Sequence, residues 1–231
     1  MTSIFRRLLD FVAPRSCVVC HRRLAPETEV LCPSCQLRLP RTNFHLSPKD
    51  NMMARLFWGI IPVENVAALC YYAPGSEMAR LVYDMKYHDR PDIGETLGRM
   101  MALELKASGF FDDIDCLVPL PLARKRERQR GYNQSRQLAI GVSEVTGLPL
   151  SDELVCRTAF AKSQTQLGRR ERQENVENVF QLRDGADFHG RHVLLIDDIV
   201  TTGATVVACA RELLKVDGVR ISILAFGLTK T

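Results

Sequence analysis

The stretch that decides the fold is HVLLIDDIVTTGAT, residues 192–205. Residues 193–196 form a short apolar run, which is typical of a strand buried on both faces of a parallel sheet. Two carboxylates, Asp197 and Asp198, follow the run, and beyond Thr205 the apolar residues recur at helical spacing. The order is therefore strand, polar loop and helix. It predicts a loop at the carboxyl edge of the sheet, where open α/β folds bind their ligands.

The composition of the loop indicates the kind of ligand. Small residues around a glycine lead into the helix: Thr201, Thr202, Gly203, Ala204 and Thr205. Free N–H groups at a helix start, with roughly half a positive charge from the helix dipole, bind anions such as phosphate. The two acids would repel a polyphosphate placed against them, but they suit hydroxyl groups or a hydrated Mg²⁺. A sugar 5-phosphate offers a phosphate to the helix start and hydroxyl groups to the two acids.

Two other interpretations of this stretch exist. In the plainer one, the strand is an ordinary buried strand and its aspartates only cap a helix. That interpretation does not require two carboxylates followed by TTGAT. The other is a Walker B strand, which fails because the chain contains no G-x-x-x-x-G-K-[ST] motif.

IDDIVTTGAT resembles the signature with which type I phosphoribosyltransferases bind 5-phosphoribosyl 1-pyrophosphate (PRPP). The resemblance implies that Asp197 and Asp198 hydrogen-bond the ribose 2- and 3-hydroxyls. It also implies that residues 201–205 wrap the 5-phosphate.

Length and charge limit the classes of protein to which the chain can belong. The 231 residues allow one core domain and a small module, and a net charge of +4 is too small to argue for nucleic acid. No apolar run approaches the roughly 18–20 residues that span a bilayer, so we predict no integral membrane span and a cytoplasmic location. The first residues have an apolar helical face, which is compatible with a packed terminal helix or with a peripheral contact at the inner membrane.

Four of the eight cysteines form two pairs with metal-ligand spacing. The pairs are Cys17-x-x-Cys20 and Cys32-x-x-Cys35, with eleven residues between them. Four thiolates so spaced can surround Zn²⁺ tetrahedrally, and with all four positions filled the metal is structural. A disulfide would need an oxidising compartment and a redox motif would need a βαβ context, and the sequence indicates neither. We predict a zinc-ribbon-like module within residues 1–50, folded by its metal.

The rest of the chain alternates strands with helices, which predicts a mainly parallel sheet flanked by helices. A buried strand at residues 114–120 runs into the densest basic patch of the chain, and residues 159–180 are polar and too long for an ordinary connection. Such segments are usually functional lids or disordered. The predicted domains are therefore residues 1–50 and 51–231.

The cysteine module, VPLPLARKRERQRGYNQSRQLA at 118–139, the segment around Gln164 and the PRPP motif together are similar to the ComF family of bacterial competence proteins. The resemblance implies an α/β fold of the type I phosphoribosyltransferase class with a hood at residues 51–75. It implies a pyrophosphate loop with Arg124, Arg128, Arg130 and Gly131, and a flexible loop with Gln164 and Asn175. The implied catalytic residues are Asp197, Asp198, Lys162 and Arg172, with Mg²⁺ bridging pyrophosphate and ribose hydroxyls.

Three functions stay open, because nothing in the sequence identifies an acceptor pocket. The chain is an enzyme that transfers phosphoribosyl to an unknown acceptor, a PRPP-regulated single-stranded DNA-binding protein, or a PRPP sensor that acts through other DNA-uptake proteins. Stacking aromatics would favour DNA binding, but Tyr132 is the only aromatic residue in the basic segment.

Overall fold

A computed structural model of the chain describes residues 15–158, 179–183, 185 and 187–230. Within these residues six strands and six α-helices are formed, with 3₁₀ turns at Phe44–Leu46 and Ala54–Leu56. The strands are β1 (Val66–Tyr72), β2 (Cys116–Pro119), β3 (Val155–Arg157), β4 (Phe180–Leu182), β5 (His192–Val200) and β6 (Arg220–Thr229). The helices are α1 (Pro33–Leu37), α2 (Glu77–Tyr87), α3 (Pro91–Lys106), α4 (Arg124–Arg130), α5 (Gln134–Thr146) and α6 (Ala204–Leu213).

The main sheet has four strands in the order β1-β6-β5-β2, and every neighbouring pair is parallel. Leu195 of β5 pairs with Val118 on one side and Ile223 on the other. The apolar residues of β5 and β6 are almost fully buried, as expected for central strands covered on both faces. The predicted parallel α/β sheet is confirmed.

Strand β5 is longer than the apolar run predicted. It continues through Asp197 and Asp198 to Val200, so the two acids lie inside the end of the strand and not in a loop after it. The ladder extends because β6 offers partners this far, with Ile199 opposite Gly227. A Cβ atom at Gly227 would lie 2.6 Å from Cδ1 of Ile199, so the glycine leaves room for the end of that side chain, which would otherwise have to move.

Helices α3 and α5 pack against each other at very short range. An added Cβ at Gly98 would lie 2.1 Å from the Leu138 carbonyl oxygen, and one at Gly141 would lie 2.0 Å from that of Glu95. Glycines at these crossing points let the two backbones touch. Helix α5 also contacts β2 and β5, and this contact positions its first residues beside the carboxyl end of the sheet.

The short strand β3 pairs antiparallel with β4 in a separate two-stranded sheet. Helix α6 packs against this hairpin. Most of the predicted flexible loop, which joins β3 to β4, lies outside the described residues.

The segment before residue 50, at the end of the first predicted domain, lies along β1. Arg41 forms a bridge with Cys70, the Thr42 amide donates to the Leu69 carbonyl at 3.1 Å, and the Phe44 ring packs edge-on against Tyr71. Strand β1, which falls inside the predicted hood at 51–75, is itself an edge of the main sheet. The domain boundary at residue 50 stays a prediction.

Among the described helices, none combines the length and the apolar character needed to cross a membrane.

Candidate functional site

The two acids near the end of β5 lie at the carboxyl edge of the sheet and are partly buried. Oδ1 of Asp197 accepts hydrogen bonds from the Ser135 hydroxyl at 3.2 Å and from the Asp198 amide at 2.8 Å. Oδ1 of Asp198 accepts from the Ile199 amide at 2.6 Å. Both carboxylates are therefore oriented by neighbouring donors.

Lys86, in the last turn of α2, reaches the same acids. Its Nζ lies 2.6 Å from Oδ2 of Asp198, and the two side chains are only 19% and 14% exposed. The sequence analysis did not single out Lys86. No spacing rule connects a residue of α2 with one of β5, so only the fold brings them together.

The pKa of Asp197 is strongly shifted by its surroundings. Burial, and then the charge of Asp198, raises the pKa of Asp197 from its ordinary 3.8 to about 7. The hydrogen bond from the Asp198 amide and the charge of Lys86 act in the opposite direction and lower this pKa. Asp197 therefore titrates near neutral pH.

The predicted phosphate loop follows directly. Thr201, Thr202 and Thr205 are exposed, and Gly203 is the N-cap of α6 with a φ of 77°. The Ala204 amide donates to the Thr202 hydroxyl at 3.5 Å, a long hydrogen bond that a ligand could replace. The other first-turn N–H groups of α6 lie at a helix start, which is where anions bind. Gly203 lies on the buried ring of Phe57, since an added Cβ would be 2.9 Å from Cε1 of that ring.

The basic segment after β2 is a helix, α4, and not the loop that the resemblance implied. None of its seven residues is buried, and Gly131 ends it in the left-handed region at φ 80°. An arginine-rich run is a good helix former, which explains the difference. Arg124 and Arg128 are exposed, whereas Arg130 donates to Oε1 of Gln134 at 2.6 Å and lies over the Tyr87 ring.

A cavity of about 300 Å³ lies between the end of β2, α4, α5 and the β3–β4 hairpin. Its lining includes Arg124, Arg157 and Arg183, together with the ion pair of Arg136 and Asp152. Burial, and then the charge of Arg126, lowers the pKa of Arg157, while the charge of Asp197 opposes this shift. The cavity thus holds four arginines on the side of the sheet edge nearest β2, together with the acids Glu127, Asp152 and Glu153.

The four residues predicted in the flexible loop, Lys162, Gln164, Arg172 and Asn175, lie outside the described residues. Their roles stay predictions.

Aromatic side chains missed by the sequence reasoning lie beside α4, on the exposed side of α2. The rings of Tyr83 and Tyr87 are 4.9 Å apart, His88 lies edge-on to Tyr83, and the Arg130 guanidinium is 5.6 Å from the centre of the Tyr87 ring. Both tyrosines are more than half exposed. We call Tyr83, Tyr87, His88 and Arg130 the aromatic surface.

The four predicted metal ligands lie together near the other end of α2. The sulfur atoms of Cys17, Cys20, Cys32 and Cys35 all lie within 4.8 Å of one another. Sulfurs of Cys20 and Cys32 are 3.7 Å apart, too far for a disulfide and close to the edge of a tetrahedron with Zn–S bonds of about 2.3 Å. The residues present therefore fit a four-thiolate Zn²⁺ site.

Donors around the sulfurs favour the thiolate forms. Arg22 donates to Sγ of Cys20 at 3.4 Å, and this lowers the pKa of that thiol to about 6. Arg38 donates to Sγ of Cys35, also at 3.4 Å, and the Cys32 amide donates to Sγ of Cys17. Two guanidinium charges would balance the net −2 of a Zn²⁺ with four thiolates.

Residues 118–229 match the family model described as Phosphoribosyl transferase domain. DNA utilization protein YhgH of Escherichia coli (strain K12) is 32% identical over 202 residues, covering 86% of this chain and 84% of that protein. Competence protein F of Haemophilus influenzae is 29% identical over 139 residues, covering 58% and 61%. Competence protein ComFC of Bacillus subtilis (strain 168) is 31% identical over 117 residues, covering 50% and 44%.

Proposed function

The chain belongs to the ComF family of proteins with a phosphoribosyl transferase domain, and from that premise we propose that it binds PRPP and transfers the phosphoribosyl group to an acceptor. The observation that carries the proposal is the arrangement at the end of β5. Two oriented carboxylates there are followed within the same stretch by a helix start with a glycine N-cap and exposed threonines.

Each part of this arrangement suits one part of PRPP. The N–H groups of the first turn of α6, with the hydroxyls of Thr201, Thr202 and Thr205, would hold the 5-phosphate. The carboxylates of Asp197 and Asp198 would accept hydrogen bonds from the ribose hydroxyls. Mg²⁺ would enter as part of the substrate, bound to the pyrophosphate.

The reaction forms a bond from the acceptor nucleophile to C1 as the bond from C1 to the pyrophosphate oxygen breaks. Pyrophosphate leaves with the bonding electrons, and positive charge develops on the ribose. The carboxylates would stabilise that charge, and the arginines of α4 with Arg157 would stabilise the leaving pyrophosphate. The acceptor stays undefined.

Calorimetry with Mg²⁺ and PRPP tests the binding. Asp197→Asn with Asp198→Asn removes both acceptors for the ribose, and we expect it to abolish measurable binding without unfolding the chain. Asp112→Asn with Asp113→Asn is a matched control, because it neutralises two adjacent, exposed acids. Equal affinity of wild type and the first variant would refute the proposed site.

Release of pyrophosphate tests the transfer. We expect the wild-type chain to release pyrophosphate from PRPP when one member of a panel of nucleobases and other nucleophiles is added. A chain that binds PRPP but releases no pyrophosphate with any of them would instead be a PRPP-binding regulator.

Binding of single-stranded DNA is a second candidate, favoured by the aromatic surface. Exposed aromatic rings beside an arginine-rich helix are the usual elements of such a site, where stacking of a base on a ring contributes about 1–3 kcal/mol per base. The names of the relatives, DNA utilization and competence, support a bacterial role in the uptake or use of DNA. The cytoplasmic location and partners among other DNA-uptake proteins stay predictions.

A salt titration tests this second candidate. DNA held through several phosphates loses affinity with a log–log slope of about −0.7 per phosphate. Tyr83→Ala with Tyr87→Ala should weaken binding at every salt concentration, whereas the matched Tyr→Phe pair keeps the stacking faces and should not. Salt-insensitive binding, or equal loss in both pairs, would exclude the aromatic surface as the site.

A further inference from the structure

The two acids of the proposed ribose site are not equivalent. Asp197 uses Oδ1 for both of its hydrogen bonds, from Ser135 and from the Asp198 amide, and within the described part of the chain no donor meets its Oδ2. Asp198 has both oxygens engaged, Oδ1 by the Ile199 amide and Oδ2 by the Lys86 ammonium. A ligand that reaches Asp198 therefore meets a carboxylate and an ammonium together.

Stability alone is a poor reason for this ion pair. Both side chains are largely withdrawn from water, and the desolvation cost of such a pair offsets much or all of its attraction. The pair of Lys215 and Glu212 has the same 2.6 Å separation and a buried glutamate, but its lysine is 62% exposed and so keeps most of its hydration. The Lys86 pair instead lies at the edge of the sheet where the ligand is expected.

The end of α2 is held in place around Lys86. The Tyr132 hydroxyl donates to the carbonyl of Met85, and Arg130 covers the ring of Tyr87. The two neighbours of Lys86 in the chain are thus tied to the segment that follows β2. Lys86 therefore approaches Asp198 from a fixed backbone.

A sugar hydroxyl is both a donor and an acceptor of hydrogen bonds. A carboxylate satisfies only the donor function, whereas an ammonium beside it also satisfies the acceptor function. A site that pairs both functions rejects an analogue without the hydroxyl, because its own polar groups are then left unpaired.

We propose that Lys86 is a specificity-determining residue which, with Asp198, recognises a sugar hydroxyl and makes the site select ribose 5-phosphate over 2-deoxyribose 5-phosphate. The inference rests on the proposed function and adds to it a residue and a criterion of selection. For a protein related to DNA utilization proteins, this selection would keep DNA-derived deoxyribose phosphates out of the site.

The test compares three probes by calorimetry: ribose 5-phosphate, 2-deoxyribose 5-phosphate and inorganic phosphate. We expect wild type to prefer the ribose compound by about tenfold or more. Lys86→Met keeps the length of the side chain but removes its charge, and it should reduce the preference to about threefold or less while inorganic phosphate binds as before. Lys86→Arg should restore most of the preference, and Lys215→Met is the matched control for loss of a lysine from an ion pair.

The outcomes separate this inference from the proposed function. If wild type binds neither Mg²⁺ with PRPP nor ribose 5-phosphate, the proposed function fails and the inference fails with it. If wild type binds both sugars equally, or Lys86→Met keeps the wild-type preference, only the inference is overturned. If Lys86→Met loses its cooperative thermal unfolding, Lys86→Arg and Lys86→Gln replace it in the test. A preference for ribose 5-phosphate that is retained in Lys86→Gln overturns the inference. A preference that only Lys86→Arg keeps supports it.

Discussion

Asp197 combines a hydrogen-bonded carboxylate with a pKa of about 7, far above its ordinary 3.8. Burial disfavours its charged form, and the adjacent Asp198 adds repulsion that Lys86 only partly compensates. The group that is proposed to accept a hydrogen bond from a ribose hydroxyl thus changes its charge near neutral pH.

This raised pKa predicts a pH dependence of stability. Between about pH 4 and 7 the folded chain holds a proton on Asp197 that the unfolded chain has lost, so the contribution of Asp197 to the free energy of unfolding falls as the pH rises through this window. Asp197→Asn removes this contribution, and urea unfolding from pH 4 to 8 should show a variant that gains stability relative to wild type as the pH rises. A constant difference between the two proteins across that range would contradict the assignment, and Asp217→Asn, at an exposed acid, is the control.

Gly203 is constrained twice, by its φ of 77° and by the ring of Phe57. Gly203→Ala should cost about 1–2 kcal/mol from the left-handed backbone, with a further cost from the ring, and should weaken phosphate binding because the loop must shift. Gly147 has the same φ of 77° but no atom within 4 Å of an added Cβ, so Gly147→Ala isolates the backbone cost. Chemical denaturation and phosphate calorimetry measure both effects. Equal losses of stability in the two variants would show that the Phe57 contact has no effect.

At the scale of elements, the site depends on where strands and helices end. Strand β5 extends past both acids because β6 continues the ladder, and α4 forms where a loop was expected. The first residues of α5 supply Ser135 to Asp197, so the packing of α5 on the sheet fixes one donor of the site.

The contact between α3 and α5 should therefore tolerate no side chain at its glycines. Gly98→Ala would place a Cβ 2.1 Å from a backbone oxygen, and overpacking of this kind costs about 1–3 kcal/mol or more when backbone must move. On an exposed part of a helix, the same change would stabilise by about 1 kcal/mol. Urea unfolding gives the sign, and Leu103→Ala, at a residue of α3 that is 65% exposed, is expected to be nearly neutral. A Gly98→Ala variant at least as stable as wild type would show that the two helices separate easily.

At the scale of the whole molecule, the cysteine module is docked on the core through polar contacts. Arg99 of α3 bridges Glu29 of the module, at 2.6 Å, and Glu144 of α5, at 2.8 Å. Arg80 of α2 donates to the Val19 carbonyl at 3.2 Å. The module therefore contacts the helix that carries Lys86.

Removal of zinc should unfold this module and leave the main sheet intact. So short a segment buries too little to fold alone, and zinc binding contributes on the order of 10 kcal/mol in such modules. Limited proteolysis after chelation should cut within residues 15–39, while the circular dichroism of the core helices persists. Cys20→Ser should reproduce the effect, and Cys156→Ser, at a partly buried cysteine outside the cluster, should not. Unchanged proteolysis after chelation would rule out a structural metal.

Patterns within a few residues were enough to predict part of this protein. The apolar run before Asp197 predicted a parallel strand and the paired cysteines predicted a four-sulfur cluster, and the structure has both. The phosphate loop indicated by TTGAT stays a prediction. These signals are readable because side-chain period, helix starts and ligand spacing are set by neighbouring residues. The apolar run predicted that β5 ends before Asp197, which is too early, since the length of a strand is set by its partner strand.

Only the tertiary structure decided which distant groups meet. It joined Lys86 to Asp198, Arg130 to Tyr87 and Gly203 to Phe57, and it buried Asp197 enough to move its pKa. Such contacts follow from how whole elements pack and from the loss of water between them. Neither can be predicted from a few neighbouring residues. The residue types of the loop are thus a local property of the sequence, whereas the charge balance around Asp197 and Asp198 is a property of the fold.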